Sequence, residues 1–447
     1  MCREEGLQRT VDGGGTARKA PRSGAQSGRR RTAAARAAAR RRARRAGHVR
    51  LAVLLGLLGL VVALPLALSS APPVAHLARG GSRRHHLAAA RLGLPFPSPS
   101  GSHLRPGPNL APGSDPAVLP GDVMIADEEN NRLLVVNPAG TIVWQFPRPG
   151  ALRPGQSFLS PDDAFFTPHA DGIIATEEND QVISLLRLRP AGIAWRYGTP
   201  GRPGGGANQL DNPDDAMVLP GGGVLVADIK ECSLLLLRPP SHLPLMRIGH
   251  EDTSCYHAPP LRFGSPNGAF PLTNGHYLVT EINGDWVDEI TLSGRVLWST
   301  HPPGVAYPSD TNEVAPGRYL TVDYSTPGQI VEFNKRGKLL WRYGPASGPG
   351  MLSHPSLCET IPTNGYILCN DDGNDRVIVI DPHTDKIVWQ YGHTGVAGSA
   401  PGYLAGPDGV DLAPPYSLLM RHASTMGALP GACAAGLPAG SCTRSGS

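Results

Sequence analysis

Six prolines in this 447-residue chain are each followed by a short residue, polar in every copy. The runs are Pro161-Asp162-Asp163-Ala164, Pro213-Asp214-Asp215-Ala216, Pro266-Asn267-Gly268-Ala269, Pro308-Ser309-Asp310-Thr311, Pro355-Ser356-Leu357-Cys358 and Pro407-Asp408-Gly409-Val410. Convergent carboxylate and amide oxygens suit a hard cation such as Ca2+, which takes roughly six to eight oxygen ligands. Asp162, Asp214, Asn267 and Asp408 are therefore candidate metal ligands, and Asp163, Asp215 and Asp310 extend the same candidate ligand-binding set. Carboxylates crowded in this way repel one another, and a bound cation or raised pKa values relieve the repulsion. The same residue types also bond to backbone N–H groups in turns, so a local structural role stays open.

A second register of acids and amides lies 15 or 16 residues after the prolines, at Glu177, Asp228, Glu281, Asp323 and Asn370, with Asp127 as a sixth copy. Turn capping is the expected role there. Adjacent antiparallel strands would bring both registers to one face, making it acidic and attractive to a cationic small molecule or a basic protein surface. Trp286, in Asn283-Gly284-Asp285-Trp286, is out of step with the other tryptophans and expected in a turn, which makes it a candidate for ligand contact. No Ser/His/Asp grouping, phosphate-cradling glycine loop or HExxH run is present. Catalytic residues are left unassigned, and a binding module is favoured over an enzyme.

The elements that must position these residues follow from an internal repeat. Successive prolines are 52, 53, 42, 47 and 52 residues apart. That spacing suits a four-stranded propeller blade. Within each copy a short apolar strand is followed by a turn such as Pro220-Gly221-Gly222 or Thr363-Asn364-Gly365. Second, third and fourth strands come next, the last carrying an aromatic, as in Trp195-Arg196-Tyr197-Gly198, Trp341-Arg342-Tyr343-Gly344 and Trp389-Gln390-Tyr391-Gly392. One position repeated through consecutive copies is how a packing residue behaves, so these tryptophans are expected between blades. Residues 122–146 hold strands two to four of a blade whose first strand is Pro407 to Leu412. Joining the two ends closes the ring and removes its open edges. The fold expected is all-β: a six-bladed β-propeller over residues 115–413, preceded by one transmembrane helix. Seven blades stay open, because Asp115 to Leu119 could supply another first strand and Ser417 to Met420 could extend the last.

Ten arginines lie between Arg29 and Arg50, in a segment with almost no large apolar side chains. Residues 1–48 are expected to be disordered and cytoplasmic. No aromatics are interleaved for base stacking, so nucleic acid is not expected as a partner. Leu51 to Leu68 is an uncharged apolar run, and 49–71 reads as a signal-anchor, with a cleaved signal peptide as the alternative. Residues 72–114 read as a Pro/Gly/Ser-rich linker and 414–447 as a loose tail. The propeller is thus expected outside the cell, single-pass and membrane-tethered, or secreted if the leader is cut. Export permits disulfides, and sequence neighbours suggest Cys232–Cys255, Cys358–Cys369 and Cys433–Cys442.

The pattern Val226-Ala227-Asp228 and Asn374-Asp375-Arg376-Val377 resembles NHL-type propeller repeats. The Trp-x-Tyr-Gly endings resemble PQQ-binding-like or arylsulfotransferase-like repeat proteins of high-GC Gram-positive bacteria, over roughly residues 115–413. The resemblance implies the fold and is shared by enzymes, scaffolds and adhesion modules. The vicinal-cysteine and cofactor-stacking Trp signatures of quinoprotein dehydrogenases are missing, and no histidine matches a sulfotransferase motif. The function expected is a ligand- or protein-binding propeller. The alternatives are a lactonase- or esterase-like hydrolase using a channel-mouth cation, and a PQQ-like or arylsulfotransferase-like enzyme.

Overall fold

Apolar runs of five to eight residues, separated by turns rich in Gly, Asn and Asp, can satisfy their backbone groups only by pairing as antiparallel hairpins. The computed structural model describes residues 94–97, 100–249 and 254–422. It contains six four-stranded sheets. The first three strands are β1 (Val123–Asp127), β2 (Arg132–Val136) and β3 (Ile142–Phe146). Blade 1 follows with β4 (Pro161–Phe166), β5 (Gly172–Glu177), β6 (Val182–Leu188) and β7 (Ala191–Gly198). Blade 2 is β8 (Pro213–Val218), β9 (Val224–Asp228), β10 (Ser233–Leu237) and β11 (Met246–Gly249). Blade 3 is β12 (Pro266–Pro271), β13 (Tyr277–Glu281), β14 (Trp286–Ile290) and β15 (Val296–Thr300). Blade 4 is β16 (Pro308–Ala315), β17 (Arg318–Asp323), β18 (Gln329–Phe333) and β19 (Leu339–Tyr343). Blade 5 is β20 (Cys358–Thr360), β21 (Ile367–Asp371), β22 (Arg376–Asp381) and β23 (Lys386–Gly392). β24 (Pro407–Leu412) completes blade 6 by pairing antiparallel with β1, Val123 opposite Leu412 and Asp127 opposite Pro407.

The first strands touch in the cyclic order β4, β8, β12, β16, β20 and onward to β24 and β4, which closes a six-bladed β-propeller. The segments that left a seventh blade open are not strands. Pro116–Val118 is a 3-10 turn capped by the Asp115 side chain, and Leu418–His422 is a short helix, α1.

Middle strands lie between neighbouring blades and are buried on both faces, so they are apolar almost throughout, as in β10 and β22. Outer strands carry more exposed positions, as in β15, where they alternate with less exposed ones. Of the fourth-strand tryptophans, Trp389, Trp195 and Trp144 are buried while Trp298 and Trp341 are half-buried against the blade cores, and Trp389 Nε1 donates to the Pro138 carbonyl at 2.8 Å. Cys232–Cys255 and Cys358–Cys369 are disulfides, the second bridging directly opposed residues of β20 and β21.

The described parts of both flanks pack against the propeller. Phe96 and Leu110 are buried, and the Ala111 and Asp115 N–H groups donate to the Gln390 and Val388 carbonyls of β23. Leu418 and Leu419 bury in the main core, and Arg421 pairs with Glu359. Apolar side chains in both segments have somewhere to go, which a composition count does not reveal. Residues 1–48, the 49–71 span and the Cys433–Cys442 pair lie outside the described residues. No helix among the described residues is long and apolar enough to cross a membrane.

Candidate metal centre

Each anchoring proline that opens a first strand sits opposite the acid ending the second strand of its own blade. Pro161 faces Glu177, Pro213 faces Asp228, Pro266 faces Glu281, Pro308 faces Asp323 and Pro407 faces Asp127. Both registers therefore share one face, as their spacing suggested.

The second register caps the turns that enter the first strands. In every blade its carboxylate accepts the backbone N–H two residues before the proline: Leu159 to Glu177 at 2.8 Å, Asp211 to Asp228 at 2.8 Å, Gly264 to Glu281, Ala306 to Asp323 at 3.3 Å, Ser353 to Asp371 at 2.7 Å and Ala405 to Asp127 at 2.8 Å. The blade 5 member is Asp371, one residue beyond Asn370, which the strict spacing had placed there. Asn370 instead faces inward, its amide donating to the Ser356 hydroxyl and the Pro407 and Asp408 carbonyls. Several of these caps are also ion-paired, Asp127 with Arg132, Glu177 with Arg196 and Asp371 with Arg376.

The first register is different in kind. Just after the proline, each of the five full first strands slips register, placing Asp162-Asp163, Asp214-Asp215, Asn267, Ser309-Asp310 and Asp408 in bulges. A bulge adds a residue, bends the strand and re-aims side chains. Threonines of the second strands satisfy the displaced backbone: the Asp163 N–H donates to Thr176 Oγ1 at 3.0 Å, and the Thr321 hydroxyl donates to the Asp310 carbonyl at 3.1 Å. The acids themselves converge. Asp162, Asp163 and Asp214 each offer an oxygen within 4.8 Å of the other two, as do Asp163, Asp215 and Asp310, and also Glu128, Asp162 and Glu178.

These triads overlap at Asp162 and Asp163, and strand position orders them. Glu128 and Glu178 sit in 3-10 turns beyond the strand ends, Asp162 and Asp214 at second positions, and Asp163, Asp215 and Asp310 one residue deeper. The result is a ladder of carboxylates from rim to channel interior. Exposure of the inner members is only 1 to 7%, so the acids expected to paint an open face lie inside the protein.

Two glycines make room for them. A Cβ on Gly268 would come 2.5 Å from Asp310 Oδ1 and 2.6 Å from Asp215 Oδ2, and one on Gly409 would come 2.5 Å from Asp163 Oδ1. In the third position of the repeat, acid in one blade thus fits against glycine in another.

Among the described residues no Lys, Arg or His pairs with Asp162, Asp163, Asp214, Asp215 or Asp310. Asp215 and Asp310 share a hydrogen bond with each other, and the Asn267 side chain reaches Asp310, while Oδ1 of Asp162 and of Asp163 has no donor. Burial first, then the charge of their neighbours, raises the pKa of Asp162, Asp163, Asp214 and Asp215 well above the carboxylate range. Asp310 is pushed up to about 8 by burial, with the Asp408 charge adding to it.

Of the four candidate metal ligands, Asp162 and Asp214 share a triad. Asp408 acts on the others through its charge, and the Asn267 amide donates to the Ser309 hydroxyl at 3.0 Å, tying blade 3 to blade 4. Trp286 is not in a turn: it opens β14, half-buried, against two histidines. A hollow of about 500 Å3 lined by Asn274, Glu289, Tyr319 and Arg336 lies at the other end of blades 3 and 4, away from the ladder.

No family model and no curated protein matches this chain. Solved structures do. A protein of unknown function from Bacteroides caccae is 18% identical, with a TM-score of 0.45 over 65% of this chain and 97% of its own. A streptogramin B lyase is 15% identical, with a TM-score of 0.43 over 66% of this chain and 87% of its own. The WD40 β-propeller domain of Doa1 is 12% identical, with a TM-score of 0.40 over 60% and 81%. The likeness is one of shape. The fold rests on the six sheets themselves, and the chemistry rests on the carboxylates.

Proposed function

We propose that this chain is a ligand-binding β-propeller whose channel carboxylates hold a hard divalent cation of the Ca2+ class, the cation being part of the binding surface. The observation that carries the reading is the set of buried acids without counter-charge. Charges taken out of water are tolerated when paired or bound to metal, and neutralise themselves otherwise. Oxygen-only donors favour Ca2+ or Mg2+ over softer ions. The ladder from Glu128 and Glu178 inward supports entry from the rim, where a cationic small molecule or a basic protein segment would also meet it.

The apolar 51–68 run behind an arginine-rich segment supports a tether holding the propeller outside a membrane, and the two disulfides support an oxidising compartment. The Trp-x-Tyr-Gly strands support a place among NHL-type and PQQ-binding-like repeat proteins, without the quinone chemistry of that label. A second reading is a cation-dependent lactone or ester hydrolase. It is favoured by half-buried Glu128 at the top of the ladder, where a bound ion would keep a side open to substrate. Heat denaturation with Ca2+ and with EDTA tests the cation, because a ligand that binds only the folded state raises its stability by mass action. Turnover of aryl esters and lactones in Ca2+ separates the hydrolase from the binding module.

A further inference from the structure

Blade 3 carries a constellation built from other side chains than the ladder. His257 Nδ1 lies 3.1 Å from Glu281 Oε1 and 3.7 Å from Asp288 Oδ2. One donor atom from each of the three residues falls within 4.8 Å of the other two. The β13–β14 register sets the carboxylates: Glu281 is opposite Trp286 and Val279 is opposite Asp288, so Glu281 and Asp288 are diagonal neighbours on one face of the sheet. His257 arrives from the loop between β11 and β12. That loop is fastened by the Cys232–Cys255 disulfide two residues earlier, and by the Asn283 amide donating to the Cys255 carbonyl at 3.1 Å.

Three features favour a metal over a plain ion pair. The side chains of Glu281 and Asp288 are both 0% exposed, and both face the same imidazole. Asp288 has the Ser299 side chain and the Glu281 carboxyl beside it, and although fully buried it points toward the imidazole. Glu281 has one oxygen committed to the Gly264 N–H, leaving Oε1 toward His257.

The spacing fits as well. Ligands at Zn–N and Zn–O distances of about 2.0 to 2.2 Å in a tetrahedron stand roughly 3.3 to 3.6 Å from one another. The observed 3.1 and 3.7 Å bracket that edge length. One imidazole nitrogen with two carboxylates suits a borderline transition ion, in contrast to the oxygen-only ladder.

We infer that His257, Glu281 and Asp288 form a three-ligand site for a divalent transition ion of the Zn2+ or Co2+ class. The half-exposed edge of His257 leaves its fourth position open to solvent or to a ligand. Trp286 reports on it. Its ring stacks on His257 with centroids 4.2 Å apart and planes 14° apart, and it meets His301 at 3.6 Å. A ligand at the open position would therefore meet an indole wall. The site is independent of the channel carboxylates, so it stands or falls separately from the Ca2+-class reading.

The test is titration of the EDTA-stripped full chain with Co2+ and Zn2+, in Ca2+-containing buffer so that the ladder is already loaded. The visible d–d absorption of Co2+, tryptophan fluorescence and calorimetry are read together. Wild type should bind Co2+ with the intense visible bands of a four-coordinate ion, displaced by Zn2+, and with a change in tryptophan emission. His257→Ala and Asp288→Asn should each weaken Zn2+ binding by at least the roughly 10- to 100-fold that changes outside the ligand sphere already cost. Trp286→Phe should keep the calorimetric signal and lose the fluorescence change. Near-UV circular dichroism checks that each variant folds, and the partly exposed His257 is the substitution the fold should best tolerate. Wild type showing no visible Co2+ band, or bands that persist in a folded His257→Ala, would overturn the site.

Discussion

The Asp127 carboxylate accepts the Ala405 backbone N–H at 2.8 Å, a bond between residues 278 positions apart that fastens the blade made from both ends of the propeller. The same carboxylate holds Arg132 at 2.6 Å and Asn130 at 2.9 Å. Removing it orphans a buried N–H and strands a largely buried guanidinium. Asp127→Ala should cost about 3 to 5 kcal/mol in urea denaturation, the range for breaking one partner out of a buried pair. Asp127→Ala with Arg132→Met should recover part of the loss. Equal stability of the single and double variants would mean that the ion pair contributes nothing to closure.

Gly268 sets the space for Asp215 and Asp310. Gly268→Ala puts a methyl group where those carboxylates sit, at an overpacking cost of about 1 to 3 kcal/mol. The variant should fold and largely lose its Ca2+-induced rise in melting temperature, read by calorimetry with and without Ca2+. A normal rise would place the cation away from these two acids.

The raised acids fix the sign of the pH dependence when metal is chelated. Burial pushes Asp310 and Asp122 each up to about 8, far above the usual carboxylate range, so the folded chain keeps protons that the unfolded chain has already released. The unfolded state binds fewer protons over that interval, and stability then falls as pH rises. In EDTA the melting temperature should decline between about pH 4 and about pH 8. Saturating Ca2+ should flatten the decline at its upper end, where the ligands are ionised. A melting temperature that climbs over the same interval in EDTA would contradict the burial of these acids.

The Cys232–Cys255 bridge closes a loop across a sequence separation of 23 and carries His257. Loop-closure entropy gives it about 3 kcal/mol. Replacing both cysteines by serine should lower stability by that order and weaken Zn2+ binding, while Ca2+ binding changes little. Unchanged Zn2+ affinity would show that the loop holds His257 without the bridge.

How far the sequence led can be traced residue by residue. The proline-to-acid register fixed the blades because both positions are tied to each other: the acid caps the turn entering its own proline. The slip at Asn370 came from one turn. Leu219 and Leu272 close their hairpins to residues four further on, whereas Ile361 closes to Tyr366 and Thr167 to Gly172, five further on. That extra residue moves the capping acid from the fifteenth position to the sixteenth. Composition could not say that Phe96, Leu110 and Leu418 would find apolar neighbours, which is a matter of three-dimensional proximity. The ring of short acids was legible, but its burial was not, because bulges at Asp163 and Asp310 turn the side chains inward. His257 lies in an aperiodic loop, and its only signals were Cys255 two residues before it and the off-register Trp286.

The central claim is that the channel acids are cation ligands rather than protonated turn residues, and Ca2+ calorimetry on the EDTA-stripped full chain tests it most directly. Asp163 belongs to both inner triads, so the comparison is wild type against Asp163→Asn, which keeps the shape and removes the charge. Wild type should bind Ca2+ saturably, and Asp163→Asn should lose that binding or weaken it by at least 10-fold (about 1.4 kcal/mol or more) with folding intact. No Ca2+ or Mg2+ heat in wild type, or equal affinity in the two proteins, would contradict it.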